Sequence, residues 1–365
     1  MILLREYQGK LLLLIKDTIA CYDHKSDTYE EFNIPQLQPN LENRLVSSVC
    51  SSKHDDFLAV SLSNKQLIIF DKKFNVLTNT LSKRVVSKIR FTPDNDLLVA
   101  DKTGDVFVYK GNNIEPKLLL GHLSMLLDIE VTDCGKYVIT SDRDEKIRVS
   151  CYPNSYNIVS FCLGHREFVT NISVCGKVLV SASGDGTIRL WNYLTGEELA
   201  VANCNEYITD KSIIGNFSKE MSAESVDVDA LPITDMQVYA KQDLIYVGVT
   251  VLGINGVQMY FVDVSNAVLS VKYLQTVVVS SPLLTYYLRE QLIILTTNEL
   301  AVLDVCSDKC NPLNSDISRL FKHCKHLLIN YENLSNSFVS TLYKRKYDNV
   351  QDYLEKKKIR LENKS

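Results

Sequence analysis

The amino-acid sequence predicts an all-β fold, a seven-bladed β-propeller followed by a C-terminal helical tail. Two observations carry this. Short strand-like runs recur as IACYD (19–23), LIIFD (67–71), VFVYK (106–110), IRVSC (147–151), IRLWN (188–192), MYFVD (259–263) and LAVLD (300–304), and four of the six intervals between their fourth residues are 39 or 41 residues. That period matches the ~40–45 residues of a propeller blade. Earlier runs such as FLAVSLSN, DLLVADKTG, KYVITSDRD and KVLVSASGDG alternate ahead of them, and strand–turn–strand at this spacing implies four strands per unit.

The first strands fall in MILLREYQGKLLLLIK, which is apolar but interrupted by Arg5, Glu6 and Lys10. A signal peptide would carry ~7–15 uninterrupted apolar residues after a basic start, so this segment reads as sheet. No run approaches the ~18 apolar residues of a membrane span, and no membrane partner is expected. Blades one to three keep spacing and alternation, with Asn64 and Phe70 standing in for a repeat's usual Asp and Trp.

The best-formed unit is FCLGHREFVTNISVCGKVLVSASGDGTIRLWN (161–192). His165, Ser181, Asp185 and Trp191 occupy the WD-repeat positions that form a buried hydrogen-bonded tetrad, which satisfies groups otherwise costly to bury. The preceding unit repeats this as His122, Thr140 and Asp144, with Ser150 in place of the Trp. His165, Ser181 and Asp185 also have the composition of a catalytic triad, but no G-x-S-x-G elbow surrounds Ser181. The interval between the fifth and sixth repeats is 71 residues. The surplus, about residues 203–231 with a polar, acidic middle, reads as an exposed loop. The propeller is assigned to residues 1–313 and the tail to 314–365.

The rest excludes other chemistry. Glycine, at 14 of 365 residues, is about half its usual ~7% share. The only nucleotide-loop candidate, SGDGTIR, is a blade turn, so no cofactor is expected in this chain. Cys306, Cys310, His323 and His326 approach a zinc-finger spacing, but the second histidine gap is too short, and no metal site is assigned. The 10 cysteines are scattered rather than framed for disulfides and read as reduced thiols. Net charge is −4, divided between +4 in residues 341–365 and −8 before them. Tyr347, Val350, Tyr353 and Leu354 give the tail helical spacing. Its basic residues Lys344, Arg345, Lys346, Lys356, Lys357 and Lys358 suit either a solvated face or a contact with RNA or an acidic partner.

The turn in SDRDEKIRVS (141–150) carries more charge than a turn requires. With Asp144 assigned to the tetrad, Asp142, Arg143, Glu145, Lys146 and Arg148 are surplus. In a WD blade this turn shares a rim with Gly164-His165-Arg166-Glu167-Phe168. Both signs of charge, with Phe168 alongside, suit a protein partner better than a polyanion.

SDRDEKIRVS, SFCLGHREFV, SGDGTIRLW and LYKRKYDNV together closely resemble the WD-repeat non-catalytic subunit of the tRNA (guanine-N7-)-methyltransferase, the family called Wuho in insects. The resemblance is strong in blades four and five and in the tail, and weaker elsewhere. It implies a scaffold that binds and stabilises a separate catalytic subunit, which would hold S-adenosylmethionine and form N7-methylguanosine in the tRNA variable loop; tRNA would be met through the complex. Glu145, Lys146 and Arg148 then inherit an interface role, with Arg166 and Glu167 as neighbours. A nuclear protein with a cytoplasmic share is expected. A different class of function, a multi-partner adaptor in DNA repair or ubiquitin-ligase assemblies, also suits a propeller, because fold alone does not decide function.

Overall fold

A computed structural model describes residues 2–38, 44–111, 115–266, 268–306, 309–328 and 339–345. Seven four-stranded antiparallel sheets each use four strands consecutive in sequence. The first sheet comprises Ile2–Tyr7, Lys10–Ile15, Thr18–Asp23 and Thr28–Asn33. The seventh comprises Leu283–Leu288, Gln291–Thr296, Leu300–Val305 and Cys310–Pro312. Tight turns set the register. Tyr7 pairs with Lys10, and the two residues between them, Gln8 and Gly9, take φ of 53° and 70°. Positive φ at both centres makes the type I′ turn, whose twist matches a two-residue hairpin.

Strand alternation sends each sheet's two faces into different cores. In blade five, Leu179 and Trp191 pack against Ile139 and Val149 of blade four. Val180 and Ile188 point the other way, against Val247 and Val249 of blade six. One apolar cluster of this kind fills each blade-to-blade seam among the described residues. Each blade therefore buries both faces, and the ring has no free sheet face.

No strand is exchanged between first and last blades among the described residues, so the ring closes by side-chain contacts rather than by a shared sheet. Leu4, Leu13 and Ala20 of blade one meet Ile293, Leu295 and Val302 of blade seven. A helix, α1, spans Ser212–Ala223 within the insertion, and a second, α2, spans Leu320–Leu328 after the last blade. Leu320, Cys324 and Leu328 of α2 enter the same closing cluster. They recur every fourth residue, which places them on one helix face.

The insertion departs from the sequence expectation. It lies between blades five and six, as its position required, but it is not an exposed loop. Phe217 and Met221 of α1, followed by Val226, Val228 and Leu231, are buried in the seam cluster of blades five and six. Ile213, Phe217 and Met221 share a helical face, and burying it against the blades orders a segment whose overall composition is polar.

Candidate functional site

The blade-five tetrad anchors the site. Trp191 Nε1 donates to Ser181 Oγ at 2.8 Å, Ser181 Oγ lies 2.7 Å from His165 Nε2, and His165 Nδ1 lies 3.0 Å from Asp185 Oδ2. A neutral imidazole carrying its proton on Nδ1 satisfies this chain from end to end. Burial by itself would raise the Asp185 carboxyl, but hydrogen bonds from His165, Thr187 and the Arg166 backbone override it and hold the group far below the usual range. Ser181 is wholly buried. A nucleophile that no substrate reaches is a structural group, whatever its neighbours.

Blade four builds the same chain with a different acid. His122 Nε2 lies 2.8 Å from Thr140 Oγ1, and Nδ1 lies 3.0 Å from Asp142 Oδ2. Asp142 Oδ1 also accepts from the backbone N–H groups of Asp144 and Lys146. Asp142, expected at the partner surface, is therefore the tetrad acid and is 1% exposed. Asp144, expected in the tetrad, is freed to the rim. The contacts decide it: Asp142, the last residue of the second strand, reaches His122, whereas Asp144, at the turn position that Asp185 holds in blade five, pairs with Lys146 and Lys344 instead.

In the turn itself Glu145 has a left-handed backbone, with φ of 69°. The matching positions of blades three and five are Gly104 and Gly186, also with positive φ. Blade two has Lys65 there. A side chain in this conformation costs roughly 1–2 kcal/mol that glycine avoids. Such outliers motivate a functional hypothesis for the side chain that is retained.

Arg148 is not a free rim charge. Its guanidinium donates to Ser150 Oγ, to the Gly121 carbonyl and to the Ser155 carbonyl, at 2.9, 3.2 and 2.9 Å. Gly121 belongs to blade three, so Arg148 ties two blades together. Arg143 is half-buried, its Nε without a hydrogen-bond partner. Lys146 and Arg166 are exposed, and Glu167 is half-buried. Burial, and then the charge of Glu145, push the Glu167 carboxyl up to about 7, against the pull of Lys344.

Phe168, expected beside the charges on the surface, is fully buried. It is covered by Tyr343, whose ring meets it edge-on with centroids 4.9 Å apart. Tyr343 also donates to the Gly184 carbonyl at 3.0 Å. A Cβ at Gly184 would lie 2.5 Å from the Phe168 ring, so the approach requires glycine. The neighbouring Lys344 Nζ then sits 2.5 Å from Glu145 Oε1 and 3.5 Å from Asp144 Oδ1. Arg345 pairs with Glu224, just past α1, at 3.1 Å. The tail's first basic residue, Lys344, thus meets the acids of the charged turn, and its second, Arg345, meets the insertion. Lys346, Lys356, Lys357, Lys358 and the helical spacing beyond Tyr347 lie outside the described residues.

Sequence reasoning missed the apolar part of this rim. Leu123 and Leu163 stand fully and largely exposed in the loops that flank the charged turn. Ile158, Val159 and Phe161 continue the exposure along blade four's outer strand, Ile158–Cys162. Exposed leucines on the loops entering two successive blades were readable only once the blades had been aligned. Apolar anchors beside mixed charge form the pattern of a protein–protein contact.

The zinc-like spacing dissolves in the fold. His323 stacks on Tyr29 with centroids 5.2 Å apart, and His326 Nε2 lies 2.9 Å from Glu31 Oε1, both against blade one. Among the described residues no group of three or more His, Cys, Asp or Glu is arranged to hold a metal, all ten cysteines are free, and no helix is long and apolar enough to cross a membrane.

The family described as the tRNA methyltransferase TRM82 WD40 domain matches residues 108–309. The chain is 32% identical to the Drosophila melanogaster "tRNA (guanine-N(7)-)-methyltransferase non-catalytic subunit wuho" over 336 residues, covering 87% of this chain and 74% of that protein. The Danio rerio subunit wdr4 is 32% identical over 333 residues, covering 86% and 75%. The Xenopus laevis wdr4 subunit reaches 45% over 157 residues, 40% of this chain and 39% of that protein. Among solved structures, the C-terminal WD40 domain of Sif2 superposes with a TM-score of 0.61 at 15% identity, covering 84% of this chain and 81% of that one. A chain of the mitotic checkpoint complex gives 0.62 at 14%, covering 80% and 85%. The last two show the fold alone.

Proposed function

Because this chain belongs to the family of WD-repeat non-catalytic subunits of tRNA (guanine-N7-)-methyltransferase, we propose that it is the scaffold of a heterodimer whose other subunit methylates tRNA. The observation that carries this reading is the similarity to non-catalytic subunits across 87% of the chain. The rim of blades four and five supports it, because its turns and loops carry the charged Asp144, Glu145, Lys146 and Arg166 together with the exposed Leu123 and Leu163. S-adenosylmethionine belongs to the catalytic subunit in this reading, tRNA is met through the complex, and the basic tail adds a contact to RNA or to the enzyme. The heterodimer works in the nucleus, with a cytoplasmic share.

A scaffold of this kind acts by binding one conformation of the enzyme better than another. Its effect is bounded by that difference in affinity. The test is tRNA N7-methylation by the catalytic subunit alone, with this chain, and with this chain ending at residue 340. Full activity without the chain would refute the scaffold role. Equal activity with the full and shortened chains would refute a role for the tail.

A further inference from the structure

The basic tail and the acidic turn meet 199 residues apart in sequence, and the fold builds a dedicated seat to bring them together. Val339, Leu342 and Tyr343 are buried in the cluster that holds Phe217 and Met221 of α1. The Tyr343 ring lies between Phe168 and Phe217, 4.9 and 6.1 Å away between centroids, and its hydroxyl is fixed on the Gly184 carbonyl. The insertion is thus one wall of a socket for the tail. Beyond the socket the interaction changes character. Lys344 and Arg345 make only partly exposed ion pairs, with Glu145 and Asp144 on one side and Glu224 on the other. A buried aromatic anchor is strong, whereas exposed ion pairs are worth ~0–1 kcal/mol each and exchange readily.

We propose that Val339–Arg345 is an internal ligand that occupies the Asp144–Glu145 turn in the free subunit, and that docking of the catalytic subunit displaces Lys344 from it. The proposal rests on the scaffold reading for the identity of the competitor. Glu145 keeps a left-handed backbone where blades three and five use glycine, and its carboxylate is the one that Lys344 approaches most closely. Two carboxylates left bare beneath an incoming protein surface would be costly to desolvate, and Lys344 keeps them compensated until an exchange takes place. Tyr343 remains seated throughout, so the freed ammonium stays beside the interface rather than leaving it.

The experiment uses the full-length chain and the purified catalytic subunit. A carbodiimide joins a carboxylate to an amine only when the two are in contact, so the free chain should yield a cross-link between Lys344 and Glu145 or Asp144. Saturating catalytic subunit should lower its yield by at least about five-fold, and Lys344→Gln should tighten the complex by about two- to five-fold, within the range open to its two partly exposed ion pairs. An absent cross-link in the free chain, an undiminished cross-link in the complex, or an unchanged or weaker complex with Lys344→Gln overturns the proposal. If the free chain cross-links but the wild-type proteins form no complex, the failure lies with the methyltransferase reading and not with the internal contact.

Discussion

The Tyr22 hydroxyl of blade one shares its proton between Asp27 Oδ1 at 2.8 Å and the backbone carbonyl of Asp316, 294 residues later, at 3.1 Å. Asp316 opens the turn that leads into α2. Arg319 adds ion pairs to Asp27 at 3.7 Å and to Asp316 at 2.8 Å. The contacts to Tyr22 and Asp27 fasten the tail's first helical segment across the seam between the first and last blades, where no shared strand closes the ring among the described residues.

The first prediction concerns this fastening. Leu320 is fully buried in the closing cluster. Leu320→Ala removes buried methyl groups and leaves a cavity, so unfolding free energy should fall by about 2–5 kcal/mol. Leu123→Ala, at a fully exposed leucine, should change it by no more than about 0.5 kcal/mol. Urea denaturation of both variants checks the contrast. Equal effects would mean that α2 does not bear on closure.

Acid should attack the tetrads. Asp185 and Asp142 both titrate below the ordinary range, because hydrogen bonds to the ionised form outweigh burial. A depressed carboxyl contributes stability above its unfolded value, near pH ~3.9, and loses it as pH falls toward the folded value. Asp185→Asn should lower stability at neutral pH and flatten the acid limb of the stability curve. A variant that is weaker at neutral pH but keeps the wild-type acid slope would remove Asp185 from the account.

Glu167 has the opposite sign. Its carboxyl is raised to about 7 by burial and by Glu145. A raised acid stabilises the fold below its unfolded value, near pH ~4.3, and that contribution is lost as pH climbs through the folded value. Glu167→Gln should therefore be more stable than wild type above pH ~7, with the gap closing toward pH ~4. Thermal melts across that range decide it, and a gap that widens toward acid would reverse the assignment.

The blades were legible because strand alternation and a near-constant period survive where identities do not. Even the eroded blade one could be placed by Tyr22. The tetrad acid of blade four was harder, since SDRDEK offers two aspartates two residues apart, and the blade-five pattern points to Asp144 while the fold uses Asp142. The insertion was misjudged because acidic residues after α1 masked the helical spacing of Ile213, Phe217 and Met221. Phe168 looked superficial because nothing local announces the tyrosine that covers it from position 343. The contact between Lys344 and Glu145 joins distant segments through tertiary packing, so no local pattern encodes it.

The charged turn permits a last prediction that separates binding from folding. Glu145→Gly relieves a left-handed backbone, so the variant should stay within about 1 kcal/mol of wild type, the strain relieved offsetting the lost exposed ion pair. It should nevertheless capture the catalytic subunit poorly and support less tRNA methylation. Lys146→Glu reverses an exposed charge that pairs loosely, at 3.9 Å, with Asp142 and Asp144, and should behave the same way, with stability lowered by no more than about 1 kcal/mol. Arg148→Leu is different in kind, because it breaks hydrogen bonds to Gly121 and Ser155. Leaving the part-buried Ser155 carbonyl unpaired should cost roughly 1–3 kcal/mol, and any loss of capture should follow the loss of fold. Pull-down, methylation and melting measured together on the three variants resolve the roles. If Glu145→Gly and Lys146→Glu bind and methylate as wild type does, the acidic turn is not the docking edge.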